Sequence, residues 1–264
     1  MFSDTTHALA AHSFPASPKP WTPNEETLLA RFNSNFQTLT ADSAERIRLA
    51  QRIRYQVYCI ENPLENCGDN PDGIEKDEFD SHAVHSLLLD RASDTALGTV
   101  RMILHVPEAP DRSFALQRLL NTEAAKALRS LPIHSMAEVS RFSISRQFRR
   151  NIATGANGYN QADLSAASSC GPLMRLGLIQ GLIRISMQQG ITHWCALMEP
   201  TLLRMLGAMA IRFRPIGPLV EFRGMRQPCC INVRDMLNAV MCERPAFWDL
   251  ITDGGTFEVC TAAA

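Results

Sequence analysis

Two periods of apolar and polar residues alternate along the chain, and the switches between them mark its elements. Ile47, Ala50, Ile53 and Val57 recur at helical spacing behind residues 42–45, where Asp42 to Glu45 fits a capping box. The remaining positions of that helix hold Arg46, Arg48, Arg52 and Arg54. Upstream, residues 27–39 are weakly helical, with Leu28, Leu29, Phe32 and Phe36 on one stripe. Residues 62–80 read as a loop of Asn, Pro, Gly and acids. Two apolar runs, 85–89 and 97–104, flank the turn Ala92-Ser93-Asp94 and predict a hairpin. Residues 114–131 predict a helix stopped by Pro132, and residues 137–145 a strand. From 146 to 169 the chain is polar, without a clear period. Pro172 then opens a long helix that Gly190 ends. Residues 191–198 predict a buried strand, and Glu199-Pro200 starts a short helix to Ile211. Residues 213–222 are extended, but Pro215 and Pro218 keep them out of a sheet centre. A short strand over 229–233 precedes one or two terminal helices. Helices and strands are interspersed without an internal repeat, which predicts one mixed α/β domain over residues 27–264. Residues 1–26 carry Pro15, Pro18, Pro20 and Pro23 among Ser, Thr and Ala, and predict a flexible N-terminal arm.

Charge narrows the field of partners. Lys and Arg total 26 against 27 Asp and Glu, so bulk charge predicts no nucleic-acid or membrane-surface binding. The longest apolar stretch, residues 173–187, is interrupted by Arg175, Gln180 and Arg184 and is too polar to span a bilayer. Eight cysteines form no C-x-x-C pair, and Cys229 and Cys230 are adjacent, a poor geometry for a shared metal. No metal site is expected. The first residues lack a secretory pattern, which points to reduced thiols in a cytoplasmic protein.

Three clusters carry candidate chemistry. The segment Asp72-Gly73-Ile74-Glu75-Lys76-Asp77-Glu78-Phe79-Asp80, with Asp69, gathers six acids. Such carboxylates hold a cation or an ammonium, accept a proton, or simply form a solvated loop; the calcium-hand pattern is not met. Gly98-Thr99-Val100-Arg101 places a cation inside an apolar strand, facing away from Val100 and Met102. Residues 138–145 combine Glu138, Ser140, Arg141 and Phe142 in one strand. In a regular strand Glu138 and Arg141 face opposite ways, and only a bulge brings them to one face. Arg146, Arg149 and Arg150 form a local basic run, either a solvated turn or a dock for an acidic carrier. Cys195, two residues after His193, reads as inert packing rather than a nucleophile. Met174, Met187, Met198, Met205 and Met209 read as core filler, or as an acyl tunnel beside Leu178, Ile179 and Leu182.

Taken together, the clusters resemble the acyl-homoserine-lactone synthases. The motifs are R-x-x-x-aromatic at Arg54/Tyr58, E-x-D-x-x-D at Glu75/Asp77/Asp80, G-x-x-R at Gly98/Arg101, and E-x-S-R-F at Glu138/Ser140/Arg141/Phe142. The chain resembles still more closely the PEP-CTERM/exosortase system-associated acyltransferases. The likeness lies in Arg54-Tyr55-Gln56-Val57-Tyr58-Cys59, Asp77-Glu78-Phe79-Asp80 and Ser140-Arg141-Phe142-Ser143-Ile144-Ser145, then Phe148-Arg149-Arg150. It extends over roughly residues 30–239, through the stretch from Gly190 to Pro200 and through Pro215-Ile216-Gly217-Pro218. N-acyl amino acid synthases belong to the same circle of GNAT-like acyltransferases.

The resemblance implies a mixed, mainly antiparallel central sheet with helices on both faces. Two of its strands, 137–145 and 191–198, would splay apart to admit an acyl-pantetheine, and a bulge in the first would turn both Glu138 and Arg141 to the cleft. It implies N-acyl transfer from acyl carrier protein to the amine of an amino acid or similar molecule. Glu138 would be the base or hold the water that serves as base, with Ser140 and Phe142 beside it at the catalytic position. A backbone amide near Phe142 or Ser143 would stabilise the oxyanion. Arg54, Tyr58, Glu75, Asp77, Asp80, Arg101 and Arg141 would bind substrate, or pair among themselves. Arg146, Arg149 and Arg150 would bind the carrier protein, and the phosphopantetheine thioester would be co-substrate, with no further cofactor. Two departures weigh on this reading. Lactone synthases carry a tryptophan where this chain has Cys59-Ile60-Glu61-Asn62-Pro63-Leu64-Glu65, which points away from S-adenosylmethionine. The spacing of residues 149–156 does not match the pyrophosphate loop of acetyl-CoA-using relatives, which points to a carrier-bound donor. A lactone autoinducer synthase and a non-catalytic acyl-binding domain are the alternatives.

Overall fold

The structure, a computed structural model, describes residues 28–147 and 161–257, with the backbone alone over 161–170. The predicted arm, Phe148, Arg149, Arg150 and the 149–156 spacing lie outside the described residues.

Helix α1 (Leu28–Asn35) hands over directly to strand β1 (Phe36–Thr40), so Phe36 lies in the sheet, paired with Asp90, rather than on the predicted helix. Helix α2 (Ala44–Tyr55) is capped by Ser43, whose Oγ accepts the Arg46 N–H at 3.3 Å. Asp42 does not cap it as expected but pairs with the Arg46 side chain at 2.8 Å. A wide π turn, Gln56–Glu61, extends α2, closed by Asn62 N–H to the Val57 carbonyl at 2.9 Å. Such turns recur at functional sites, and this one carries Tyr58.

Strands β2 (Ala83–Asp90) and β3 (Ala96–Leu104) form the predicted hairpin. The helix predicted over 114–131 is broken into a 3-10 turn, Ala115–Arg118, and helix α3 (Thr122–Arg129). The break is local chemistry: Asn121 accepts the Ala124 N–H at 2.9 Å and starts a new helix. Strand β4 (Met136–Ile144) follows. Helix α4 (Gln161–Gln189) begins upstream of Pro172, which sits inside it, and ends at Gly190 with φ +65° as predicted. Then come β5 (His193–Met198), α5 (Pro200–Ala208), the short β6 (Arg214–Pro215) and β7 (Val220–Glu221), β8 (Met225–Asn232), α6 (Val233–Glu243) and α7 (Pro245–Thr252). β8 starts earlier than predicted and contains Pro228. The Pro228 carbonyl accepts the Ile216 N–H at 3.0 Å, so its missing donor faces the β6 side rather than β5.

The strand order is β1-β2-β3-β4-β5-β8-β6, with β7 also on β8. All pairs are antiparallel except β4–β5. Helices cover both faces. On one face α4 packs Leu178, Ile179 and Leu182 with Phe32, Leu88 and Met102. Contact there is close: a Cβ on Gly181 would lie 2.1 Å from Ser86 Oγ. On the other face Ala50 and Ile53 of α2 and Val57 of the π turn meet Leu87 and Leu89, and Phe114, Leu116 and Leu128 meet Ile103 and Met136.

Two irregularities shape the centre of the sheet. β4 and β5 share three rungs, Met136↔His193, Ala137↔Trp194 and Glu138↔Cys195, and then part. Opposite β3, the register jumps from Thr99↔Ser143 to Arg101↔Ser140, which leaves one extra residue in β4. That is a bulge, and Arg141 takes it up at φ +52°. The splay and the bulge implied by the resemblance are both present. Gly98 lets the bulged strand approach, since a Cβ there would sit 2.7 Å from the Ser143 carbonyl.

Candidate active site

A cavity of about 1160 Å³ fills the space between the parted strands. Val139, Ser140, Arg141 and Phe142 of β4 face Ala196, Leu197 and Met198 of β5 across it. Its apolar side is closed by Ile179 and Leu182 of α4, Leu206 of α5, and Phe213. Of the residues read as a tunnel or filler, Met198, Ile179 and Leu182 line this space. Met174, Met209 and Leu178 sit in the core, and Met187 is exposed. The polar side is formed by Glu65, Glu75, Asp77, Arg101 and Arg141, with Tyr58 beside them.

The acid loop and the arginines of three elements close into one network. Arg54, on α2 and fully buried, donates through Nε to Glu75 and through Nη2 to Asp80 at 3.0 Å. Arg101, on β3 and equally buried, grips Asp77 with two bonds of 2.6 and 3.0 Å and donates through Nε to Ser140 Oγ at 3.0 Å. Arg141, at the bulge, reaches Glu75 at 2.8 Å, Glu65 at 3.1 Å and Asp77 at 3.2 Å, and lies over the Tyr58 ring at 5.3 Å. Burial alone would raise Glu75, yet Arg141 and Arg54 hold it at about 2. Burial likewise opposes Asp80, but bonds from His85 and Arg54 push it well below the usual carboxylate range. Arg54 and Arg101 thus have their donors engaged inside the protein, and Arg54 does not line the cavity.

Glu138 stands apart from that network. It occupies the last shared rung of β4 and β5, at the apex of the fork, and is 3% exposed. Its Oε2 accepts the Leu116 N–H at 3.0 Å. That amide belongs to the first donors of the 3-10 turn, which have no partner within the turn. Burial raises the carboxyl to about 7, since the amides of Leu116 and Ala115 and the more distant Arg101 and Arg141 only partly offset it. A carboxyl poised there exchanges protons near neutral pH, which is what a general base requires.

The other sequence candidates fall around this centre. Phe142 lines the cavity and packs on the main core. Arg146 lines the cavity mouth, bound through Nη2 to Asn62 at 2.6 Å, with its amide on Glu61 at 2.7 Å. The Cys195 thiol donates to the Ala137 carbonyl, and burial pushes it far above its ordinary value, so it is inert packing. Among the described residues, no group of three or more His, Cys, Asp or Glu is placed to hold a metal ion. Nor is any described helix long and apolar enough to cross a membrane. Sequence reading missed several cavity residues, among them Glu65 and Arg223. Glu65 lies in the segment noted only for lacking a tryptophan. Arg223, at the tip of the β7–β8 hairpin, pairs with Glu65 and carries no motif at all.

Residues 53–155, which run from α2 through the acid loop and β2 to β4, match the acetyltransferase (GNAT) domain family. No curated protein sequence matches the chain. Among solved structures, the chain is similar to BjaI, a CoA-dependent acyl-homoserine lactone synthase determined with SAM and isopentyl-CoA. Identity there is 18% and TM-score 0.53, over 79% of this chain and 88% of that one. It is similar to TofI, in a ternary complex with an inhibitor and MTA, at 17% identity and TM-score 0.51, over 80% and 99% of the two chains. FeeM, an N-acyl amino acid synthase from uncultured soil microbes, aligns at 14% identity and TM-score 0.49, over 78% and 96%. The splayed sheet, the matched segment and the likeness to BjaI and TofI show that this chain has a GNAT-like fold.

Proposed function

We propose that the protein is an N-acyltransferase that moves a long fatty acyl group from the phosphopantetheine thioester of acyl carrier protein to the amine of an amino acid. The observation that carries this reading is Glu138, buried at the apex of the β4–β5 fork and raised to about 7. The fork offers the unpaired edge of β4 to a pantetheine arm, and the apolar side of the cavity accepts an acyl chain. The amine enters from the polar side. Glu138, directly or through water, takes a proton from it as nitrogen attacks the thioester carbon. The C–N bond forms, the C–S bond breaks, and the departing thiolate takes up a proton. The backbone N–H of Phe142, next to the bulge and beside the parted strand, would stabilise the developing oxyanion. Arg146 at the mouth, with Arg149 and Arg150 next in sequence, provides positive charge for an acidic carrier. The test is to supply long-chain acyl-carrier-protein or acyl-CoA with the twenty L-amino acids, and to analyse lipids of an expressing bacterial host by mass spectrometry. N-acyl amino acids formed faster from the carrier-bound donor are expected. Acyl-homoserine lactones in their place would overturn the acceptor assignment, equal use of acyl-CoA the donor assignment, and no acylated product in either assay the enzymatic reading.

A further inference from the structure

Two arginines compete for one oxygen at the mouth of the cavity. Glu65 Oε1 accepts from Arg141 Nη2 at 3.1 Å and from Arg223 Nη1. Glu65 follows the π turn on one wall, whereas Arg223 is the tip of the β7–β8 hairpin on the other, so their ion pair crosses the opening. Arg54, Arg101 and Arg141 each touch two or more carboxylates, and Arg118 is held by Glu78 in an exposed pair. Among the described residues Arg223 pairs with one carboxylate, Glu65, and lies over the Phe222 ring at 5.0 Å; its side chain is a third exposed and lines the cavity. It is also held at φ +53°, a left-handed conformation costly for a side chain larger than glycine, with Gly224 beside it at φ +90°. Arg141, its competitor, shows the same feature at φ +52°.

Charge balance says what that ligand is. Glu65 and Arg223 form one neutral pair across the opening, and both line the cavity. A lone carboxylate or a lone ammonium entering it would leave one charge uncompensated. A zwitterion inserted into the Glu65–Arg223 pair leaves none, because its carboxylate replaces Glu65 on Arg223 and its ammonium replaces Arg223 on Glu65. We propose that Arg223 is the residue that recognises the α-carboxylate of the acceptor, with Glu65 receiving its ammonium before the proton is lost. The proposal rests on the amino acid reading above and adds the residue that reads the acid group.

The experiment measures acylation of the best amino acid acceptor and of its methyl ester by wild type, Arg223→Met and Arg223→Lys. Loss of a charge-assisted, two-bond contact predicts a KM for the free acid raised about 10- to 100-fold in Arg223→Met, with kcat little changed. The lysine variant, which keeps the charge but not the planar fork, falls between. The ester KM, already high in wild type, does not move. Melting temperature checks that the hairpin is intact. A KM rise shared equally by acid and ester, or none for the acid, overturns the assignment to Arg223 and leaves the N-acyltransferase reading standing. Failure of the wild type to acylate any amino acid removes that reading, and this proposal with it.

Discussion

Glu75 and Glu138 are both buried carboxyls lining one cavity, at 2% and 3% exposure, yet their environments drive them in opposite directions. Glu75 receives two guanidiniums and is held at about 2. Glu138 receives only backbone amides, with its nearest cations at a distance, and rises to about 7. Burial pushes both the same way, so hydrogen-bonded counter-charge decides which carboxyl stays ionised. One region of the site is therefore a fixed ionic frame, and the other holds a proton that can move.

The largest effect expected from this contrast is on turnover. Glu138→Gln keeps the Leu116 bond but cannot accept a proton, so kcat is expected to fall ~100- to 10,000-fold with KM little changed. Because the substitution removes a carboxylate that burial disfavours, melting temperature at pH 8 should hold or rise. Measuring both on one preparation is decisive: a lowered melting point with near-normal kcat would make Glu138 structural and erase the contrast.

The ionic frame predicts the opposite pattern. Arg54→Met leaves Glu75 to Arg141 and Asp80 to Arg101 and His85, with one buried carboxylate in excess, and is expected to cost about 3–5 kcal/mol in urea unfolding. If that variant unfolds like wild type, the frame contributes little and the two carboxyls are not the opposites drawn here.

Proton linkage separates the regions by pH. Glu75 has a folded value below its ordinary 4.5, so its contribution to stability is present above 4.5 and is lost as pH falls towards about 2. Glu138 has a folded value above 4.5, so its contribution is greatest below 4.5 and declines as pH rises through about 7. That decline amounts to at most roughly 3 kcal/mol and should vanish in Glu138→Gln. Activity runs the other way, with kcat/KM increasing through about pH 7 as Glu138 ionises. An activity profile flat from pH 5 to 8 would remove Glu138 from proton transfer.

The smallest expected effect tests how the frame meets the fork. Gly98→Ala drives a methyl group against the Ser143 carbonyl at the bulge and should destabilise by about 1–3 kcal/mol. If thermal unfolding is unchanged, the bulge is softer than its packing indicates.

Much of the fold was legible because local chemistry wrote it. The β2–β3 hairpin followed from two apolar runs around a short polar turn, and the end of α4 from Gly190. The misses share a physical cause. The helix expected over 114–131 is interrupted because Asn121 caps a new helix, and apolar periodicity does not register a cap in its midst. The start of α4 lies in a polar stretch without apolar period, and Pro172 looked like a beginning because prolines favour first turns. In the site, the motifs located Arg54, Glu75, Asp77, Asp80, Arg101, Glu138 and Arg141. They did not say which would be spent on one another.

The residue types, their order and their spacing determined by themselves that this chain forms a mixed sheet carrying acids and arginines on neighbouring elements, since propensity and period are properties of short segments. Tertiary structure alone decided the rest: that β4 and β5 part after three rungs, that Glu138 sits buried at the point of parting, and that Arg223 reaches Glu65 from 158 positions away. A carboxyl's proton affinity and an arginine's freedom depend on which charges surround it and how much water is excluded. Those are set by chain segments meeting in space, and no local pattern records them.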